Sequence, residues 1–347
     1  MIAVPELPAM PTGPGADRPP EERGLSRDGV RLLVSSERGE TSRTFSDLDE
    51  LLRPGDLLVV NESATVPASL PARSRLGPLL MNLSTSYGAA LWVAEPRWGP
   101  GQPGPLPLEP GETLDVGGVP CTLIAPYPGI PRLVFLQAGG DLAHAMQRVG
   151  RPIRYGYSAR EFPLEAYQTK FARVPGSAEM PSAGRPFSAR LIERLRAKGV
   201  ELAPIVLHAG VSSLEFGDAG PGVAPMYPEP FEVPRDTAEA IHRARSRCGR
   251  VIAVGTTVVR ALESAMDAGR VRPARGFTRV YIGPMRPVRS VDGILTGFHD
   301  ARSTHLSMLA ALVGVTRLRR AYDVAAREGY LWHEFGDSHL IFSDPVT

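Results

Sequence analysis

Arg250-Val-Ile-Ala-Val-Gly-Thr-Thr257 decides the fold. A short apolar run bounded by turn signals reads as a buried strand. The turn at Gly255 then opens a helix that carries Val258, Leu262 and Met266 at helical spacing. Strand, glycine turn and helix form the unit from which α/β sheets are built. The same grammar recurs on both sides of it. Ala189 to Lys198 has helical spacing through Leu191, Ile192 and Leu195, and Gly199 stands where a C′ residue belongs. Ala203 to Leu207 then reads as a strand ending at His208, followed by a helix over Thr237 to Ser246. Downstream, a strand near Gly293 to Phe298 ends at His299, and Ser303-Thr304 caps a helix through Leu306, Leu309 and Val313. Tyr322 to Glu328 is again helical, and Leu340-Ile341-Phe342 closes the chain as a strand.

Toward the N-terminus the first 25 residues read as an extended arm, followed by a strand-like run from Val30 to Val34 and a short helix near Ser46 to Leu52. Pro54-Gly55-Asp56 turns into Leu57-Leu58-Val59-Val60, a buried strand ending at Asn61. From Pro67 to Gln137 the texture changes to short alternating runs, such as Ala90-Leu91-Trp92-Val93 and Leu133-Val134-Phe135, between dense Gly and Pro. That is the pattern of a small antiparallel β-barrel. The expected fold is therefore α/β, a larger α/β domain over residues 1–66 and 150–347 with an inserted small antiparallel β-barrel domain over 67–149.

Bulk properties agree. The 347 residues exceed a typical single core, and 43% hydrophobic with 22% charged residues describe a soluble globular protein. No apolar run approaches the ~20 residues needed to span a bilayer. Met1 to Pro20 is Pro-rich and lacks an apolar signal core. Cys121 and Cys248 are the only cysteines, too few for a disulfide framework or a Cys-based zinc site, and this fits the cytoplasm. The net charge of +2 is not that of a dedicated nucleic-acid binder. Basic charge is carried almost wholly by arginine, with two local clusters at Arg243, Arg245, Arg247 and Arg250 and at Arg317, Arg319 and Arg320. Both clusters lie on predicted helices or helix ends, where a solvated face is the default reading and contact with RNA the alternative.

In an open α/β sheet, ligands collect beyond the C-terminal ends of the strands. Here three such ends carry His208, Gly255-Thr256-Thr257 and His299. The Gly-Thr-Thr turn is either a plain N-cap or a cradle for a carboxylate or phosphate. His208 and His299 are acid/base candidates because they occur together at strand ends. There is no Walker-type loop, no His-Glu-x-x-His, and no Gly-x-Gly-x-x-Gly after a strand. Ser212-Ser213 lies in no nucleophile elbow. The seven histidines show no familiar metal-ligand spacing, so no metal is expected. Read alone, the residues describe a two-domain α/β enzyme with a polar strand-end pocket.

Tyr167-Gln-Thr-Lys-Phe-Ala and Gly176-Ser-Ala-Glu-Met-Pro-Ser-Ala-Gly-Arg-Pro-Phe187 mix polar groups with Gly, Pro and Ser just before a helix, which suits a shaped pocket. They resemble the signature YQTVYA…GSVAAPTAGLHF of the S-adenosylmethionine:tRNA ribosyltransferase-isomerases of queuosine biosynthesis. Pro54 to Asn61 resembles that family's PGDLLVxN, and Arg250 to Ser264 its RVIAVGTTSVRxLES. Thr296-Gly-Phe-His299 with Ser303-Thr304 resembles TNFHLPxSTL, and Phe335-Gly-Asp337 with Leu340-Ile341 the closing SYGDAMLI. The resemblance implies a larger α/β domain with an inserted β-barrel. It also implies an enzyme that uses S-adenosylmethionine as co-substrate, transferring and rearranging its ribosyl unit onto the aminomethyl nitrogen of a 7-deazaguanine in tRNA, with adenine and methionine leaving. Around that pocket it places Tyr167, Gln168, Thr169, Ser182, Gly184, Gly255, Thr256 and Thr257 as substrate-binding residues, and His208, His299, Glu229 and Asp337 as catalytic ones. His208 or His299 would be the base, Glu229 would sit near the sulfonium or amine, and the Gly-Thr-Thr turn would hold the methionine carboxylate.

This chain departs from the pattern at specific points. PLPPYI is Pro152-Ile-Arg-Tyr-Gly-Tyr157, and NDTRVIPARL is Asn61 to Leu70 without its arginines, at Ala64 and Ser69. Tyr227 replaces the histidine of MHxE while Glu229 remains, and Arg185-Pro186 replace the Leu-His before Phe187. Losing two arginines weakens the expected contact with phosphate, so the acceptor stays open between tRNA and a small amine. The alternatives are a related enzyme cleaving S-adenosylmethionine by lyase or hydrolase chemistry without tRNA, and a nucleoside- or RNA-binding module with a decayed site. Retention of His208, Glu229, His299 and Asp337 argues against decay. A monomer or weak homo-oligomer is expected.

Overall fold

The computed structural model describes residues 7, 9–88, 90–211, 226–300 and 303–343. Ser212 and Ser213 lie outside the described residues. Seven α-helices occur among the described residues: α1 (Leu48–Leu51), α2 (Leu142–Val149), α3 (Ala189–Ala197), α4 (Arg235–Ser246), α5 (Thr256–Ser264), α6 (Thr304–Val313) and α7 (Val315–Arg327). A nine-stranded sheet organises all of them except α2. Its centre is four parallel strands in the spatial order Glu201–Leu207, Leu57–Asn61, Val251–Val254 and Gly293–Gly297.

Leu57–Asn61 and Val251–Val254 are buried at every position. Parallel strands need this, because their crossover helices cover both faces. The two-residue period of a strand sorts the side chains. Leu57 and Val59 face a core shared with Ile241 of α4, Val258 and Leu262 of α5, and Leu306 and Leu309 of α6. Leu58 and Val60 face the opposite core, with Phe45, Leu48, Phe187, Leu191 and Leu195. Glu229–Val233 extends one edge antiparallel to Glu201–Leu207, and Ala274–Thr278 pairs antiparallel with Glu229–Val233 beyond it. Ser338–Phe342, Arg31–Ser36 and Gly39–Thr44 extend the other.

The second sheet is a closed six-stranded antiparallel barrel. In spatial order it runs Ser69–Ser74, Gly77–Ser86, Leu91–Gly99, Val134–Ala138, Val119–Pro126 and Thr113–Val116, the last pairing back with the first. Closure removes the edges that an open sheet of this size would expose. Helix α2 packs Leu142, Ala145 and Met146 into the barrel's apolar cluster, and Asp141 caps it by accepting from His144 N at 2.9 Å. The chain leaves for the barrel and returns from it side by side, where Ser69 and Arg151 exchange two backbone hydrogen bonds of 2.9 Å. A larger α/β part with a small antiparallel barrel set into it is the architecture that the sequence leads one to expect.

All four parallel strands point their C-terminal ends the same way. Asn61 ties three of those ends together. Its Nδ2 donates to Leu207 O at 2.8 Å and to Thr257 Oγ1 at 3.3 Å, while its Oδ1 accepts from Leu207 N and Ser63 N, each at 3.1 Å.

Candidate active site

Beyond those strand ends, between the sheet and the barrel, lies a cavity of about 480 Å³. Its floor is buried and comes from the sheet side: Glu229, Thr256, Arg260 and Thr296. Its rim includes Gly101 from the barrel and Gly156 from the segment that follows it, both exposed. The signature turn Ser182–Gly184 packs on the Gly-Thr-Thr turn so closely that a Cβ at Gly255 would lie 3.4 Å from Ala183 Cβ. Gly255 has φ +99°, a conformation that L side chains rarely adopt. It aims the first N–H groups of α5 at the cavity with no side-chain cap to occupy them.

Arg260 stands one turn after Thr256, and helical side chains lean toward the N-terminus. Its guanidinium therefore reinforces the positive end of α5. Arg260 Nη1 donates to Glu229 Oε2, and Glu229 Oε1 accepts from Gly210 N at 2.7 Å. Arg260 Nε and Nη2 are buried without a hydrogen-bond partner. The floor thus holds an anion–cation pair and spare donor capacity.

His299 is fixed on three sides. Its Nε2 meets Thr296 Oγ1 at 2.8 Å, its N–H donates to Tyr322 Oη at 3.1 Å, and its carbonyl accepts from Trp332 Nε1 at 3.3 Å. The His305 ring lies 4.5 Å from it, centroid to centroid. Burial holds the His299 pKa well below the usual histidine range, and the neighbouring imidazoles of His305, His333 and His339 add to this. Burial, and after it the charge of Arg260, lowers His305 to about 4. Both rings are neutral at pH 7, the form a proton acceptor requires.

The opposite wall is aromatic and acidic. Tyr157 stacks on His333 with centroids 4.0 Å apart and planes 6° from parallel. His333 has φ +71°, an unusual conformation for a non-glycine residue. Tyr155 donates to Glu179 and Tyr157 to Glu334. Tyr155, Tyr157 and Glu179 all stand at positions where the sequence departs from the family pattern it resembles. Two of the departures therefore bond to each other across separate segments, which a decaying site would not arrange.

Of the residues expected around the pocket, the structure brings Glu229, His299, Ser182, Gly255, Thr256 and Thr257 to the cavity. It sets Tyr167, Gln168, Thr169, Gly184, His208 and Asp337 behind its walls. Gln168 clamps the Thr65 backbone, its Oε1 accepting from Thr65 N at 3.1 Å and its Nε2 donating to Thr65 O at 2.8 Å. Thr65 Oγ1 in turn donates to Tyr167 O at 2.8 Å. Thr169 Oγ1 accepts from Phe171 N at 3.2 Å, and a Cβ on Gly184 would meet Phe171 at 3.3 Å. His208 Nδ1 is 2.7 Å from Ser63 Oγ, and the ring lies against Gly176 with its pKa lowered by burial. Asp337 accepts from Arg31 N at 2.9 Å and Leu331 N at 2.8 Å; burial raises its pKa despite those two donors. These six hold neighbouring segments in register.

Residue-level reading passed over Arg97, Glu179, His305, His333 and Glu334, which all line the cavity. The signal for His305 was its place two residues after the cap Ser303, in the first turn of a helix opening at the cavity. Among the described residues no three His, Cys, Asp or Glu side chains gather as a metal site.

The profile of the family described as queuosine biosynthesis protein matches residues 9–341. The S-adenosylmethionine:tRNA ribosyltransferase-isomerase of Thermus thermophilus is 40% identical over 339 residues, covering 93% of this chain and 96% of the relative. That of Sorangium cellulosum is 38% identical over 357 residues, covering 94% of each. The crystal structure of the S-adenosylmethionine tRNA ribosyltransferase from Thermotoga maritima is similar with a TM-score of 0.50 and 27% identity, over 98% of this chain and 99% of that one.

Proposed function

We propose that this chain, which belongs to the queuosine biosynthesis protein family, is an S-adenosylmethionine:tRNA ribosyltransferase-isomerase acting in the cytoplasm. The observation that carries the reading is the cavity floor, where the Gly-Thr-Thr turn, the Glu229–Arg260 pair and His299 converge. S-adenosylmethionine carries a carboxylate, an ammonium and a sulfonium. The open N-terminus of α5 and the guanidinium of Arg260 suit the carboxylate. The carboxylates of Glu229, Glu179 and Glu334 suit the cationic groups.

His299 is the proposed base. Its ring is neutral, faces the cavity, and has its orientation set by Thr296. It would take a proton from the acceptor amine or from the carbon next to the sulfonium, which that charge acidifies. Glu229 would stabilise positive charge at the reacting centre and is itself held by Gly210 N and Arg260. The floor side chains are buried, so their charges act at a lower dielectric than in bulk water. His208 and Asp337 would act through position, keeping the strand end at Leu207 and the segment around Leu331 in place.

The test is incubation with S-adenosylmethionine, with and without tRNA carrying 7-aminomethyl-7-deazaguanine, followed by mass spectrometry of adenine and methionine. Release of both only when the tRNA is present is the expected result. Release without any acceptor would overturn transfer in favour of cleavage.

A further inference from the structure

Two grooves lead away from the cavity along the barrel. The first, about 570 Å³, is lined by Arg148, Arg151 and Arg154 and shares Arg97 and Pro100 with the cavity. The second, about 760 Å³, shares Pro71, Leu80 and Arg148 with the first and runs on past Arg73 to Trp98. Together they make one trough that opens into the cavity.

The charge of this trough is unbalanced. Its two carboxylates are already engaged: Glu161 accepts from Arg151 Nη1 at 2.6 Å, and Asp115 Oδ1 accepts from Gly118 N at 2.9 Å. Arg73, Arg148 and Arg154 make no ion pair among the described residues, and Arg154 Nε is buried without a partner. Elsewhere on the barrel the pattern is the reverse, since Arg75 is paired with both Glu109 and Glu112. Trp98 is 45% exposed and lines this trough. Ser69, where the resembled pattern has arginine, lines the same trough as Arg154. The guanidinium absent at one wall is therefore present at another.

We propose that this trough is the track for an RNA strand, with phosphates on Arg73, Arg148 and Arg154 and one unstacked base on Trp98. The strand feeds the acceptor base into the cavity past Arg97 and Pro100. Guanidiniums without an ion-pair partner suit phosphate, because the planar fork matches two of its oxygens. An exposed indole in a basic groove is the usual platform for an unstacked base. Continuity with the cavity selects a polymeric acceptor over a free base, which would need no track. The proposal rests on the transferase reading above and adds the surface that makes the acceptor a nucleic acid.

The test is equilibrium binding of tRNA carrying 7-aminomethyl-7-deazaguanine by fluorescence anisotropy over a series of salt concentrations. S-adenosylmethionine binding is measured in parallel by calorimetry. Arg148→Gln and Arg154→Gln should each reduce the slope of log affinity against log salt by roughly 0.7–0.9, one phosphate contact apiece. Arg148→Lys should restore it, because a point charge suffices. Trp98→Ala should weaken tRNA about tenfold at every salt concentration with the slope unchanged. S-adenosylmethionine affinity should stay the same in all four variants, which also reports that they fold. Unchanged tRNA affinity and slope in the Gln variants would overturn the track. A parent protein that binds tRNA but not S-adenosylmethionine would overturn the transferase reading instead, and the slopes would still decide the track.

Discussion

At the scale of single residues, the floor of the cavity depends on one buried pair. Glu229 and Arg260 are both less than 10% exposed. Their attraction at low dielectric offsets the loss of hydration only while both are present. Arg260→Ala should therefore destabilise the fold by about 3–5 kcal/mol, by leaving the Glu229 carboxylate uncompensated. The double variant Glu229→Gln/Arg260→Met should recover much of that loss in urea unfolding while remaining inactive. If the double variant were as unstable as the single one, the stranded charge would not be the cause. His299 makes a different case, because its ring serves chemistry more than packing. His299→Ala should keep S-adenosylmethionine affinity and lose about 10²- to 10⁴-fold in turnover, the usual worth of a general base. A fully active variant would remove His299 from that role.

At the scale of elements, the glycine that joins Val251–Val254 to α5 decides where the helix begins. Gly255→Ala forces an L side chain to φ +99° and brings its Cβ against Ala183. The expected cost is above ~1 kcal/mol in stability. A weaker S-adenosylmethionine affinity by calorimetry should accompany it, because relaxing that backbone strain shifts the first turn of α5 at the cavity. Elements of this kind were legible in the sequence. Apolar runs as short as Leu57–Val60 and Val251–Val254, bounded by turn signals, read as covered strands, and the cap at Ser303 announces α6, its Oγ accepting from Leu306 N at 3.4 Å. The strand Gly39–Thr44 was not legible. It has no buried position and pairs on one side only, so no apolar alternation marks it. Glu229–Val233 was hidden differently. The Pro230 within it argues against a strand, and pairing on both sides with Glu201–Leu207 and Ala274–Thr278 overrides that.

At the scale of the whole molecule, the site forms only where barrel and sheet meet. That is why part of its lining was invisible in the sequence: Arg97, Tyr155 and His333 come from segments far apart along the chain. The motifs revealed the strand ends, because these are short-range features, but not the side chains that distant segments bring opposite them. The same packing buries several histidines in neutral form, with a consequence for global stability. His339 is wholly buried in Ser338–Phe342, with Nε2 2.7 Å from Ser35 Oγ and Nδ1 without a partner. Burial, and then the charge of Arg317, lowers its pKa to about 3. In the unfolded chain the ring titrates near its ordinary value of about 6.5. Above that pH both states are neutral and the full stability is present. As pH falls through 6.5, the unfolded state binds a proton that the native state refuses, so stability declines with each unit down toward pH 3. His305 adds to the decline between 6.5 and about 4. Asp337 opposes it only near its own raised pKa, because there the native state is the one that holds the proton. The depressed carboxylates of Asp28, Asp49 and Asp56 begin to matter only below the ordinary carboxylate range. Between pH 6.5 and 5 the buried histidines are therefore the groups that lower stability on acidification. His339 by itself should cost on the order of 2 kcal/mol over that interval, at about 1.4 kcal/mol per unit. Urea unfolding at pH 7.5, 6.5 and 5.0 measures it. His339→Gln should be less stable than the parent at pH 7.5 and flatter between 6.5 and 5.0, so the two curves converge on acidification. A variant whose curve stays parallel to the parent's would show that the acid sensitivity arises elsewhere.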